Sequence, residues 1–310
     1  MQVEEELAEL SPEKGMLLTI GVFDGVHLGH KYLISQLLEH ARQQNLLSGV
    51  VTFRQHPRDV LSPESRLQYL TNLEERINLL KNEGVDAVTA LSFTKELAQL
   101  SARQFISLLQ KHLKMRGLII GPDTTLGRHQ EVDADALHAL GQDMNFSVTV
   151  IPPVKVNGEV ASSTAIRQAL ATGDVEKVIN LIGRSFSLQG QVTTGTGRGS
   201  ELSFPTANLE IDPKQALPAE GVYATRTYID DKPCQSVTNI GRRPTFGGKV
   251  RTIETYILNY QGDLYGRELK IDIVKRLRGE KQFDSIEELK KQITEDVKQG
   301  GAILSSRGSR

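Results

Sequence analysis

Apolar positions in the first half of the chain form short solid runs, separated by longer stretches in which they recur every three or four residues. The solid runs lie at residues 17–23, 49–53, 86–91, 117–121 and 147–151. Runs of that length between turn-forming residues predict strands buried on both faces. The periodic stretches, residues 32–42, 73–82, 102–113 and 133–144, predict amphipathic helices. Strands alternating with helices predict a parallel sheet covered on both sides. Pro152-Pro153 ends the alternation. Ser162, Ser163 and Thr164 then offer N-cap hydroxyls for a helix to residue 170, and a further helix over 175–181 leads to Gly183.

Beyond residue 183 the pattern shortens. Residues 186–192, 221–228, 235–240, 252–258 and 269–275 are β-branched or alternating runs punctuated by Gly, Pro, Asn and Asp, which predicts an antiparallel sheet or small barrel. Ser285-Ile286-Glu287-Glu288 has the form of a capping box and predicts a last helix to about residue 298. The chain therefore reads as two domains, 1–182 and 183–310, the first α/β with a parallel sheet and the second mostly β.

Composition narrows the classes of function. With 310 residues, 38% hydrophobic and 24% charged, the chain can bury ordinary cores in two domains. A formal net charge of −1 argues against a general nucleic-acid binder and against a polybasic membrane anchor. No apolar run approaches the length of a membrane span. The single cysteine, Cys234, excludes an internal disulfide and a cysteine-based zinc site, and suits a reducing cytoplasm. Glu4, Glu5 and Glu6 stand where a secretory signal would carry basic residues, so a cytoplasmic place is expected.

The densest chemistry is Gly21-Val22-Phe23-Asp24-Gly25-Val26-His27-Leu28-Gly29-His30, at a predicted strand-to-helix turn. Backbone N–H groups and the positive end of a helix dipole favour phosphate at such a turn. Gly21, Gly25 and Gly29 let the backbone approach a bulky anion. His27 and His30 can donate hydrogen bonds to charge that develops on it. Asp24 is expected to cap the turn. Ala161-Ser162-Ser163-Thr164-Ala165-Ile166-Arg167 forms a second anion cradle, hydroxyls at a helix start with an arginine one turn on.

Together these two motifs resemble the nucleotidyltransferase superfamily, in particular the adenylyltransferase domain of bacterial bifunctional riboflavin kinase/FAD synthetases. Thr52-Phe53-Arg54-Gln55-His56-Pro57 and Gly121-Pro122-Asp123 resemble further elements of that domain. The resemblance implies that ATP lies across the first turn, contacted by Gly21, Phe23, Gly25, Gly29, Asp123, Ser162 and Thr164. It implies that His27 and His30 stabilise the α-phosphate transition state, that Ser163 and Arg167 hold the leaving pyrophosphate, and that His56 lines the phosphate or flavin side. One segment departs: Thr124-Thr125-Leu126-Gly127-Arg128 keeps the glycine and the arginine of the family's Phe-x-Phe-Gly turn but neither aromatic.

In the second half, Gly195-Thr196-Gly197-Arg198-Gly199 is a turn able to wrap polyphosphate, though without the ending of a Walker loop. Thr206 and Asn208 in Phe204-Pro205-Thr206-Ala207-Asn208 offer neutral oxygens suited to a phosphate-bound Mg²⁺. Glu254, an acid inside an apolar run, is a candidate base. With Asn239-Ile240-Gly241, Leu264-Tyr265-Gly266 and Arg278-Gly279-Glu280-Lys281-Gln282-Phe283, these resemble the riboflavin kinase domain in order and spacing. Together the two resemblances imply a Rossmann-like α/β domain followed by a small antiparallel β-barrel with a C-terminal helix. The second implies that Gly197, Arg198 and Gly199 bind ATP, that Thr206 and Asn208 bind Mg-ATP, that Glu254 activates the riboflavin 5′-hydroxyl, and that Arg278 and Phe283 lie near the flavin. Ser203 and Tyr256 stand where the family usually has Gly and His. The implied function is phosphorylation of riboflavin to FMN, then transfer of AMP to give FAD, with ATP, riboflavin, FMN and FAD as partners. A riboflavin kinase with weakened or lost adenylyl transfer and a flavin-binding regulator are the alternatives.

Overall fold

The computed structural model describes residues 1–62, 64, 67–195, 204–245 and 248–306. The chain divides into two compact units, Met1–Ser163 and Thr164–Arg310.

In the first unit, strands β1 (Met16–Ile20), β2 (Leu47–Phe53), β3 (Ala87–Leu91), β4 (Met115–Ile120) and β5 (Ser147–Val150) pair in the order β3-β2-β1-β4-β5, all parallel. Helices α1 (Gln2–Ala8), α2 (Leu28–Gln43), α3 (Pro57–Leu61), α4 (Leu73–Asn82), α5 (Lys95–Ala98), α6 (Ala102–Leu113) and α7 (Ala134–Met144) accompany it. Alternate side chains of the central strand serve opposite faces, as strand geometry requires. Met16, Leu18 and Ile20 join the cluster built with α1, α6 and α7, while Leu17 joins Ile34, Leu37 and Leu80 from α2 and α4. All five residues of β1 are buried, which is why its sequence reads as a solid apolar run. β1 stops at Ile20, three residues before the predicted end, because Phe23 has φ 55° and cannot continue a strand.

A short hairpin, β6 (Lys155–Val156) and β7 (Glu159–Val160), leads to α8 (Ser163–Thr172), which begins at the division between the units, and α9 (Val175–Ile182) follows. The second unit then closes a six-stranded antiparallel barrel. Its strands are β8 (Phe186–Thr193), β9 (Ala207–Ile211), β10 (Gly221–Ile229), β11 (Lys232–Thr245), β12 (Gly248–Ile257) and β13 (Glu268–Arg278), in the order β10-β11-β12-β9-β8-β13. β9 was not predicted: it is five residues long and opens just after Pro205 and Thr206. Inside the barrel, Leu188, Ile240, Ile253, Ile271 and Tyr223 pack around a chain of fully buried hydroxyls, Thr227–Ser236–Thr225–Thr238–Thr255, joined at 2.8–2.9 Å. Helix α10 (Ile286–Ser306) runs eight residues past its predicted end. Gly300, which suggests a stop in sequence, sits against the barrel, where a Cβ would meet Val237 at 2.8 Å.

Candidate active sites

The loop after β1 has an unusual backbone. Phe23, Gly25 and Val26 have φ of 55°, 83° and 38°, a region that costs a β-branched residue most. Long-range hydrogen bonds hold it there. The buried Asp24 carboxylate accepts the N–H groups of Leu70 (3.0 Å) and Thr71 (3.1 Å), far away in sequence. The Thr71 hydroxyl in turn accepts the Gly25 N–H at 3.1 Å. A side chain at Gly29 would meet the Ala161 carbonyl at 2.9 Å, so this glycine admits the segment that opens α8.

His27 is the N-cap of α2, its Nδ1 accepting the His30 N–H at 3.3 Å. In the neutral ring this leaves the proton on Nε2, a donor. The two imidazoles stack with centroids 3.6 Å apart, and Phe23 meets His30 edge-on at 5.1 Å. His30 Nδ1 is buried and lacks a hydrogen-bond partner. Burial first, then the neighbouring His27 and Arg76 charges, hold the His30 pKa well below the ordinary histidine value. The ring is therefore neutral near pH 7.

Arg76 of α4 was not singled out in the sequence. It is 1% exposed, donates from Nη2 to the carbonyls of Phe53 and Arg54, and has Nε and Nη1 buried without partners. Burial lowers its pKa, with Asp24 and Tyr69 acting the other way. Nearby, His56 N-caps α3 and its N–H donates to the Tyr69 hydroxyl at 2.7 Å, which donates to Asp59 at 2.8 Å. Burial and Asp59 push Tyr69 up to about 12, so it stays a neutral donor. Residues 69–71 thus tie the loop after β1 to the loop after β2. No sequence periodicity marks that link, because the partners are 10 to 47 residues apart.

Ser163, the first residue of α8, donates its hydroxyl to the Asp24 carbonyl at 2.8 Å. Ser162 precedes it at the cap position, Thr164 is exposed, and Arg167 is half-buried further along α8. Asp123 is exposed in the turn after β4, closed by Thr124 N–H to the Gly121 carbonyl at 3.2 Å. In place of the second family aromatic, Leu126 is buried in the core beside α6 and α7. His27, His30, His56 and Asp123 all follow the carboxyl ends of β1, β2 or β4, and the strand order reverses between β1 and β4. Open α/β sheets bind ligands at that switch point.

In the barrel, Glu254 of β12 pairs with Asn208 of β9 on one side and Asn239 of β11 on the other. Directly opposed residues share a face, so the carboxylate sits between two carboxamides. They alternate with the buried Ile253 and Thr255, which places the row on the outer face of the barrel. Gly195 leaves room for Asn208, whose carboxamide would lie 2.1 Å from a Cβ there. Thr206 is half-buried two residues before Asn208, and Phe204 packs edge-on against Tyr256 at 5.4 Å. Gly197, Arg198 and Gly199 lie outside the described residues. Arg278 ends β13 in a paired contact with Asp296 of α10, its guanidinium 5.8 Å from the centre of the Phe283 ring. In the sequence Asn239 is only part of a motif; its place beside Glu254 comes from strand register.

The first unit is thus a doubly wound α/β domain with an anion-ready turn at its switch point, and the second a closed barrel carrying a carboxylate between amides. Residues 10–165 match the FAD synthetase family and residues 182–304 the riboflavin kinase family. The bifunctional riboflavin kinase/FMN adenylyltransferase of Escherichia coli strain K12 is 38% identical over 288 residues, 92% of each chain. Its counterparts in Pseudomonas fluorescens (36% over 308 residues, 98% of each) and Bacillus subtilis strain 168 (32% over 296 residues, 94% of this chain and 93% of that one) are similar throughout. A crystal structure from Streptococcus pneumoniae, described as a macrolide-efflux protein, superposes with a TM-score of 0.88 at 29% identity, covering 96% of each chain. The chain belongs to the bifunctional riboflavin kinase/FMN adenylyltransferase family.

Proposed function

We propose that this chain makes FAD from riboflavin in two steps, at two separate sites. At the barrel, Glu254 takes the proton of the riboflavin 5′-hydroxyl as that oxygen attacks the γ-phosphorus of ATP, and ADP leaves with FMN formed. At the loop after β1, an FMN phosphate oxygen attacks the α-phosphorus of a second ATP; the bond to the β-phosphate breaks, and pyrophosphate leaves. The observation that carries the second reading is the stacked His27–His30 pair at the N-terminus of a 16-residue helix. Two imidazole donors at a helix N-terminus match charge growing on the α-phosphate. Ser163 and Arg167 on α8 would hold the pyrophosphate, and Asp123 the nucleotide. His56 would serve the FMN side.

Mg²⁺ fits the barrel site by donor chemistry. Among the described residues no group of three His, Cys, Asp or Glu could hold a metal. The neutral oxygens of Thr206 and Asn208, beside the Glu254 carboxylate, suit an ion that arrives already bound to phosphates. Bound there, Mg²⁺ would supply charge neutralisation on the transferring phosphoryl group. Gly197, Arg198 and Gly199 complete the proposed ATP site, and Arg278 and Phe283 border the flavin.

The proposed functional domains are 1–182 and 183–310. The riboflavin kinase match begins at residue 182, although α8 and α9 cluster with the barrel unit. The partners are small molecules, with no nucleic acid. Among the described residues no helix is long and apolar enough to cross a membrane. The lone Cys234 fits a reducing cytoplasm. A kinase with weakened adenylyl transfer, or a regulator, is not favoured, because both enzyme families match and the histidine pair is built.

The test is chromatographic. The pure chain with riboflavin and Mg-ATP should yield FMN and then FAD. Glu254→Ala should abolish FMN formation yet convert added FMN to FAD. FMN without any FAD, under excess ATP, would refute adenylyl transfer; joint loss of both activities in a folded Glu254→Ala would refute separate sites.

A further inference from the structure

Helix α10 buries three residues along one stripe, Asp296, Gly300 and Leu304. They are spaced four apart and so lie above one another. Gly300 and Leu304 do what such a stripe requires: the helix packs on the barrel through Ala224, Val237, Val274 and Leu277. Asp296 breaks the pattern. A carboxylate stands where an apolar residue would seat the helix, and it is 3% exposed. A local violation of the packing rule marks a place where something other than stability sets the residue.

The contacts of Asp296 show what it sets. Arg278 gives its Nε to both carboxylate oxygens at 3.1 and 3.0 Å, and its Nη2 to Oδ2 at 2.8 Å. Gln292, one turn earlier on the same stripe, donates to Oδ1 at 3.0 Å and so orients the carboxylate. The third guanidinium nitrogen, Nη1, donates to the Gly279 carbonyl at 3.0 Å. A fork-to-fork pair of this kind fixes the plane of the guanidinium as well as its position. That plane lies beside the Phe283 ring, with the Lys281 ammonium 5.5 Å from the ring centre as a second cation. The half-buried phenyl ring is held by cations against its π-system. The orientation of the 278–283 segment therefore traces back to one carboxylate on the C-terminal helix.

We propose that Asp296 is a positioning residue for the kinase step: through Arg278 it holds Phe283 as a wall against the isoalloxazine ring of riboflavin. The inference rests on the reading that Arg278 and Phe283 border the flavin. It assigns the C-terminal helix a part in substrate recognition beyond covering the barrel. Its contribution falls on riboflavin and not on ATP, because the pair touches neither Thr206, Asn208 nor Glu254.

The full chain tests this by steady-state kinetics of FMN formation with riboflavin and ATP varied separately. Asp296→Asn removes the charge at nearly constant shape. It should raise the riboflavin KM about tenfold while kcat and the ATP KM stay within about twofold, the loss of one charge-assisted contact. Because removing one partner of a buried pair can unfold a protein, the double variant Asp296→Leu with Arg278→Met replaces the whole pair by apolar groups. It should melt near the parent temperature and still show the raised riboflavin KM. Phe283→Ala separates the inference from the reading beneath it. If Phe283→Ala raises the riboflavin KM and both Asp296 variants leave it unchanged, the positioning role is overturned. If Phe283→Ala also leaves it unchanged, the flavin-wall reading itself falls. An equal loss in kcat and in both KM values would assign Asp296 to general stability and likewise overturn the proposal.

Discussion

His30 shows how far one buried imidazole can be made to serve two ends. Its Nδ1 has no partner, its ring stacks on His27, and Arg76 adds a positive charge nearby. All three effects oppose protonation. In the unfolded chain the same ring takes a proton at the ordinary value of 6.5. Below that pH the unfolded state binds a proton that the folded state refuses, so stability falls as the solution is acidified, and this contribution is constant above it. A series of thermal melts from about pH 7 to about pH 5 should show that acid limb, and His30→Gln should flatten it. In activity, His30→Ala should slow FAD formation from FMN by about a hundred- to a thousandfold, the loss of one transition-state donor. Formation of FMN from riboflavin should persist. Both histidines stand out in the sequence as candidate donors to a phosphate, since three glycines and a strand-to-helix junction surround them. The neutral state of His30 was not legible, because it depends on burial and on Arg76, which lies 46 residues away in sequence.

Elements act here through their ends and their register. Helix α2 meets the segment before α8 because Gly29 has no side chain. Gly29→Ala would place a methyl 2.9 Å from the Ala161 carbonyl. The contact should push the opening of α8 away, lowering kcat/KM for FAD formation at least tenfold while riboflavin phosphorylation is kept; equal rates for variant and parent would show that the approach is unimportant. In the barrel, pairing of β11, β12 and β9 sets Asn239, Glu254 and Asn208 side by side. The same register stacks hydroxyls inside. Thr238→Val would take from the buried Thr255 hydroxyl its side-chain partner and from Thr225 one of its two. Denaturant unfolding should report a loss of about 1–3 kcal/mol, the cost of unpaired buried polar groups. Most elements were legible from the period of their apolar positions. Two of the exceptions are instructive: β9 is short and begins beside a proline, and α10 runs through a glycine pair that local propensity reads as an end.

At the scale of the whole molecule, two compact units with separate cores make up the chain. Unfolding followed by calorimetry should therefore depart from two-state behaviour, with the calorimetric enthalpy exceeding the van't Hoff value. A single transition with equal enthalpies would show that the units melt as one. The sequence by itself determined the class of each unit, because the period of burial is written in the order of apolar residues and the glycine-rich turn after β1 is a local motif. It also marked the groups that carry charge and protons, because glycines, histidines and acids stand out against a strand or helix pattern. Tertiary structure alone decided which residues support them. Asp24 reaches Leu70 and Thr71, Tyr69 reaches His56, Asn239 stands beside Glu254, and Asp296 holds Arg278. Each of these links joins elements distant in the chain, and its strength comes from shared burial and hydrogen-bond geometry. Those are properties of packing, and no local pattern of residue types encodes them.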